Sequence, residues 1–292
     1  MTETVLDGLL LIDKPPGMTS FSTLGPIKRV VGTRKVGHAG TLDKFATGLL
    51  LTLCGRATRF MPYLTDMPKS YRFTVQFGVE TDTLDPEGEI TKTSGVPTAE
   101  EIGAVLPEFR GTIEQVPPVY SAIKRNGTRL SDYARNGTIV EPAARTVSIS
   151  EIVLERYAAP YATLTVDCSK GTYVRSLARD VAYRCGSCAH VVELRRTRIG
   201  PFDVGDAVGP GDVTHANVTD IATFVPRIPG VDSIVAHADA VDSILHGRPA
   251  TGDFFASVPA VGRTAAVFGP SGAFIALVVR TEESFRYVFV NS

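Results

Sequence analysis

Between residues 71 and 77 the chain alternates, with Tyr71, Phe73, Val75 and Phe77 apolar and Arg72, Thr74 and Gln76 polar. That two-residue period predicts a half-buried strand. Gly78 and the acidic loop over 80–89 end it. Residues 145–155 and 161–169 read as two more strands. A period near 3.6 over Val174, Leu177, Ala178, Val181, Ala182 and Cys185 predicts a helix carrying Arg175 and Arg179 four apart, with Gly186 at its C-terminal cap. Leu24, Ile27, Val30 and Val31 predict another, with Ser20 as N-cap, Pro26 near its start, and Lys28 and Arg29 on a separate face. Thr98 and Glu101 form a capping box for a short helix through Leu106, which Pro107 stops. Helices scattered among locally pairing strands, without a βαβ rhythm, predict a mixed α/β (α+β) fold around a largely antiparallel sheet.

At 292 residues the chain exceeds what one core usually serves, so two domains are expected. No segment reaches the ~18 apolar residues of a membrane span, and the N-terminus has no cationic leader, so a cytoplasmic location is expected. Cys54, Cys168, Cys185 and Cys188 show no extracellular spacing and are expected as free thiols. Cys185, Cys188 and His190 invite a zinc reading, but a structural site needs four ligands and the other cysteines are distant singles in apolar runs. No metal is expected.

The net charge of −1 hides a segregation along the chain. Residues 1–60 carry eight Lys and Arg against four Asp and Glu, and residues 110–200 carry fourteen against eight, giving +4 and +6. The segments 61–109 and 201–292 stand at −6 and −5. Two basic segments can form one phosphate-facing wall, or merely solvate helix faces.

Chemistry concentrates in Gly37-His38-Ala39-Gly40-Thr41-Leu42-Asp43-Lys44-Phe45-Ala46-Thr47-Gly48. Its glycines permit backbone angles and close approaches that other residues resist, so a large ligand can reach the main chain here. Asp43 is the natural nucleophile or base. The plainer alternative is a carboxylate that caps or solvates a turn.

This stretch resembles the catalytic motif of the TruB family, the tRNA pseudouridine synthases that act on the T-loop uridine. Further segments match in order: Gly8 to Ser20, Lys69-Ser70-Tyr71, Gln115 to Lys124, Ala134 to Gly137, Ser169 to Asp180 and Leu194 to Phe202. The resemblance implies a pseudouridine synthase fold and conversion of uridine 55 to pseudouridine by base flipping, without a cofactor. It implies Asp43, Tyr71 and Arg175 as catalytic residues: an ionised acid, a ring stacked on the target base, and a guanidinium paired with the acid. It implies a substrate-binding set of His38, Lys69, Tyr173, Leu194 and Lys14, with His38 filling the space left by the flipped base, Leu194 forming an apolar wall and Tyr173 backing the pocket.

Two departures stand out: Lys44 replaces the family's usual proline, leaving the loop less rigid and adding a cation, and Ala39 replaces a common threonine. The catalytic domain is expected over 1–230. Residues 231–292 resemble, weakly, the small β-rich, PUA-like C-terminal domain of bacterial members. The implied partner is the tRNA T stem-loop, bound by a monomer with no membrane association and no obligatory protein partner. A tRNA-folding chaperone with little or no turnover, a carboxylate hydrolase and a guide-RNA-dependent relative are the alternatives.

Overall fold

The structure is a computed structural model that describes residues 6–121, 123–125, 127–136, 138, 140 and 142–291. Ala122 and Gly137, quoted within two of the motif segments, lie outside the described residues. In chain order the first elements are β1 (Gly8–Lys14), α1 (Leu24–Val30), β2 (Val36–Ala39), β3 (Thr47–Cys54), α2 (Met61–Asp66), β4 (Lys69–Phe77), β5 (Val79–Thr81), β6 (Ile90–Thr93) and α3 (Ala99–Val105). There follow β7 (Gly111–Gln115), β8 (Lys124–Arg125), β9 (Thr128–Arg129), α4 (Leu130–Arg135), β10 (Arg145–Ala158), β11 (Tyr161–Cys168), α5 (Val174–Arg184) and β12 (Ala189–Ile199). The chain ends with β13 (Phe202–Asp203), β14 (Thr219–Asp220), α6 (Ile221–Phe224), β15 (Val231–Val235), α7 (Val241–Leu245), β16 (Thr264–Phe268), β17 (Phe274–Arg280) and β18 (Phe285–Val290).

Among the described residues the main sheet runs β14-β1-β3-β12-β4-β11-β10-β7, with β2 added on β3 and β13 on β12. Every pairing in it is antiparallel except a short parallel one, Arg195 with Thr47 and Arg196 with Gly48, where β12 meets β3. Gly48 has φ +101°, and a Cβ there would lie 2.2 Å from the Arg196 carbonyl oxygen, so only glycine permits this crossing.

Three apolar cores fix the sheet. Phe73, Val75 and Phe77 of β4 face one formed with Val174, Leu177, Ala178, Val181 and Ala182 of α5, as the two periodicities predict. Full burial of each of the phenylalanine, valine and leucine side chains among them is worth about 1.5–3 kcal/mol. β3 is buried almost throughout rather than alternating, because Leu49, Leu51 and Leu53 enter a second core while Leu50 and Cys54 enter a third beneath α1. The capping box at Thr98 forms, but the coil continues past Pro107 as a 3-10 turn over Leu106–Phe109. Gly186, φ +68°, closes α5.

The start of α1 differs from expectation. Its N-cap is Thr23, and Ser20 is withdrawn because its hydroxyl is engaged by Leu42, 22 residues on.

β15-β16-β17-β18 form a separate four-stranded sheet. Its inner strand β17 is buried from Phe274 through Val278, because Phe274 and Leu277 face the core of the main sheet while Ile275, Ala276 and Val278 face a core of their own. Phe60 joins the two sheets: its ring centroid lies 5.5 Å from that of Phe224 and 5.1 Å from that of Phe289. Aromatic contacts of this kind add about 0.5–1.5 kcal/mol each beyond area burial. No described helix is long and apolar enough to cross a membrane.

Candidate active site

A cleft of about 550 Å³ opens where the loop between β2 and β3, the start of β4, the segment leading into α5, and β12 converge. Asp43, Lys69, Tyr71, Tyr173, Arg175 and Leu194 line it, as do Arg145 and Arg196. Six of the eight residues expected at the site are thus brought together, from positions up to 151 residues apart in sequence. The volume falls within the range of about 300–1,000 Å³ usual for small-molecule sites, enough for one nucleotide.

The Asp43 loop is held from four directions. Ser20 Oγ accepts from Leu42 N at 2.8 Å and donates to Leu42 O at 3.0 Å. Gly17 N donates to Lys44 O at 2.9 Å, and Lys14 Nζ reaches the same oxygen at 3.3 Å. Arg196 Nη2 donates to Gly40 O at 3.1 Å. Leu42 and Ala46 sit in the core beneath. The loop is therefore anchored without a proline. The Lys44 ammonium instead lies 3.5 Å from Glu87 Oε1, both exposed.

The carboxylate itself meets Arg175, whose Nη2 donates to Asp43 Oδ1 at 3.2 Å and whose Nε lies 2.9 Å from Asp43 Oδ2. Asp43 is 36% exposed toward the cleft, while the Arg175 side chain is only 4% exposed. A buried guanidinium needs further partners. Arg175 Nη1 donates to Asp85 Oδ2 at 2.9 Å and to Thr83 O at 2.6 Å, and Nη2 donates to Tyr120 O at 3.0 Å. Asp85 is fixed in turn by Thr83 Oγ1 at 2.6 Å and by Glu87 N at 3.0 Å, in a turn where Leu84 takes the rare φ of +61°.

Burial pushes the Asp43 carboxyl above the ordinary carboxylate range; the Arg175 cation pulls it back, and the Asp85 charge raises it again. The Tyr71 and Tyr173 phenols are also raised, mainly by burial, so both stay protonated near neutrality. Lys69 is lowered to about 8, burial being the main cause and the Arg196 cation the second. Its ammonium donates to Thr65 O and Met67 O at 2.5 and 2.6 Å, which orients it at one wall of the cleft.

Two expected substrate contacts do not line the cleft. Lys14 is fully buried, and its three protons go to Pro15 O at 3.0 Å, Met18 O at 2.7 Å and Lys44 O at 3.3 Å. It serves the loop, with its protons taken by these three carbonyls. His38 lies on β2 outside the lining, with its ring lowered from the ordinary value by burial and then by the Arg196 cation, hence neutral at pH 7.

Sequence reasoning missed Asp85 and Arg196. Asp85 sits in a run of acidic loop residues that reads as a solvated turn, and nothing in its spacing sets it apart. Arg196 lies among three arginines on β12. Its register opposite Tyr71 and Gly48 turns it inward, where Nε donates to Leu49 O at 2.7 Å. Of the cysteine–histidine segment, Cys188 is buried and His190 Nδ1 contacts Val79 O at 2.8 Å.

Residues 28–174 match the model of the TruB family pseudouridylate synthase N-terminal domain, and residues 175–225 that of the tRNA pseudouridylate synthase B C-terminal domain. The tRNA pseudouridine synthase B of Chromohalobacter salexigens is 40% identical over 292 residues, covering 96% of this chain and 92% of that protein. The protein of the same name from Treponema pallidum is 46% identical over 229 residues, covering 70% of this chain and 62% of its own length. This chain thus spans less than two thirds of that relative. Among solved structures, a Cbf5-Nop10-Gar1 complex holds a chain that matches 98% of this one, with 86% of its own length covered, a TM-score of 0.73 and 22% identity. A chain of an H/ACA RNP bound to a substrate RNA matches 94% of this one, with a TM-score of 0.71 and 23% identity. These two likenesses concern the fold alone.

Proposed function

The chain belongs to the TruB family of pseudouridylate synthases, and we propose that it isomerises uridine 55 in the T loop of tRNA to pseudouridine. The reaction breaks the bond from ribose C1′ to base N1, turns the base, and joins C1′ to C5, from which a proton leaves. Nothing is oxidised and no group departs, so no cofactor is needed. Asp43 assists by covalent attack or by removing a ribose proton, and either role needs its ionised form.

The observation that carries this reading is the ion pair of Arg175 with Asp43, a hydrogen bond from Nη2 to Oδ1 and a close Nε–Oδ2 approach, in a nucleotide-sized cleft. The guanidinium favours the charged carboxylate and fixes its direction. Tyr71 lines the same cleft, and its ring stacks on the extruded base, with Leu194 as an apolar wall. Extrusion costs a few kcal/mol, and His38, flat and neutral, fills the gap. Residues 1–230 form the catalytic unit and 231–292 an appended β-rich unit, a division supported by the second sheet starting at Val231. The enzyme acts as a cytoplasmic monomer on tRNA without a guide RNA.

Incubation with an unmodified tRNA transcript followed by chemical mapping of pseudouridine tests the proposal. Product at position 55 alone is expected. No product, or product elsewhere, overturns it.

A further inference from the structure

The most exposed large apolar side chain in the described structure is Phe21, at 74%, and it stands on the segment that anchors the active-site loop. Its neighbour Ser20 is the residue whose hydroxyl holds Leu42 by both N and O, so Phe21 is one residue from the clamp on the Asp43 loop. The backbone around it is fixed. Thr23 N and Thr23 Oγ1 donate to Thr19 O at 3.1 and 2.9 Å, Ser22 N donates to Thr19 Oγ1 at 3.0 Å, and Leu24 N donates to Phe21 O at 3.1 Å. Leu24 is buried, which leaves the ring facing out from a rigid turn.

The charges on its own segment are of one sign. The Lys28 ammonium lies 5.3 Å from the Phe21 ring centroid, a cation–π contact. Lys28 and Arg29 form the basic last turn of α1, Arg34 and Lys35 follow, and no Asp or Glu occurs between Asp13 and Asp43. A protein partner with an apolar patch would fit the ring alone. A flat apolar face with a lysine ammonium over it, on a segment whose other charges are all basic, fits an unpaired base with a flanking phosphate.

We propose that Phe21 is a stacking platform for an unpaired nucleobase of the substrate RNA outside the flipped uridine, with Lys28 moving from the ring to the adjoining phosphate. This rests on the RNA-isomerase reading and adds a second point of base contact outside the cleft, one residue from the clamp on the Asp43 loop. Because the turn is already ordered, little conformational freedom is lost on stacking.

The test uses the full chain and an unmodified tRNA transcript. Phe21→Ala is compared with Phe21→Trp for KM and kcat, and both are placed in an Asp43→Asn background for direct measurement of Kd. Phe21→Ala is expected to raise KM and Kd about 5- to 150-fold, the usual range for one base–aromatic stack, with the loss in KM rather than kcat. Phe21→Trp restores binding, and Lys28→Ala lowers the slope of log Kd against log salt by about one. KM and Kd of Phe21→Ala within twofold of the parent overturn the proposal. So does a loss of self-association in Phe21→Ala with RNA binding intact, which assigns the ring to a protein contact. A parent protein that binds the transcript and forms no pseudouridine refutes the isomerase reading instead, while the Kd comparison still decides the role of Phe21.

Discussion

Arg175 hydrogen-bonds Asp43 Oδ1 through Nη2 at 3.2 Å, brings Nε to 2.9 Å from Oδ2 as an ion-pair contact, and turns Nη1 to Asp85 at 2.9 Å. One planar group thus reads two carboxylates from two loops. A lysine carries the same charge but cannot reproduce the fork. Arg175→Lys is expected to lower kcat about a hundredfold with KM little changed, because misdirection of the acid by an ångström costs on that order. Single-turnover and steady-state kinetics on the same transcript separate the two quantities.

Arg175 and Asp85 act on the Asp43 carboxyl with opposite signs. Asp43 works ionised, and burial raises its pKa, so activity falls on acidification at a higher pH than for an ordinary aspartate. Removing the cation in Arg175→Met raises the carboxyl further and moves the acid limb of the kcat/KM profile to higher pH. Asp85→Asn removes a like charge and moves it to lower pH, while the amide oxygen can still accept from Arg175. Profiles of the three proteins from pH 4 to 8, about the range where a raised carboxylate titrates, check both directions; shifts of the same sign contradict the assignment.

Ser20 is buried, and its hydroxyl satisfies two backbone groups of Leu42. Ser20→Ala leaves both unpaired, which costs about 1–3 kcal/mol. A lower Tm together with reduced kcat is expected, since the freed loop carries Asp43. Equilibrium urea unfolding measures the first effect.

Gly48→Ala is expected to be worse. The new Cβ would meet the Arg196 backbone 2.2 Å away at φ +101°, so β12 and β3 must separate. Strain and lost pairing together cost about 3 kcal/mol or more. Its visible sign is a shift of the urea midpoint larger than that of Ser20→Ala.

Much of this fold can be read along the chain because local periodicity and global packing agree. β4 alternates since one face meets the core, and α5 repeats at helical spacing for the same reason. The reading failed where a distant partner decided the matter. Ser20 has the chemistry of an N-cap, but Leu42 takes its hydroxyl. That Asp43, Tyr71 and Arg175 meet in one cleft was legible as a motif resemblance. Asp85, equally close to Arg175, was not, because its role comes from the fold of an acidic loop with no periodic signature.

The central claim is that the Asp43 carboxylate carries the chemistry. The most direct measurement is single-turnover release of tritium from a transcript labelled at uridine C5, since that hydrogen leaves only when the new carbon–carbon bond forms. Asp43→Asn is expected to bind the transcript like the parent and release no tritium above background. Release at a rate within about tenfold of the parent, a difference under ~1.4 kcal/mol in the barrier, would contradict it.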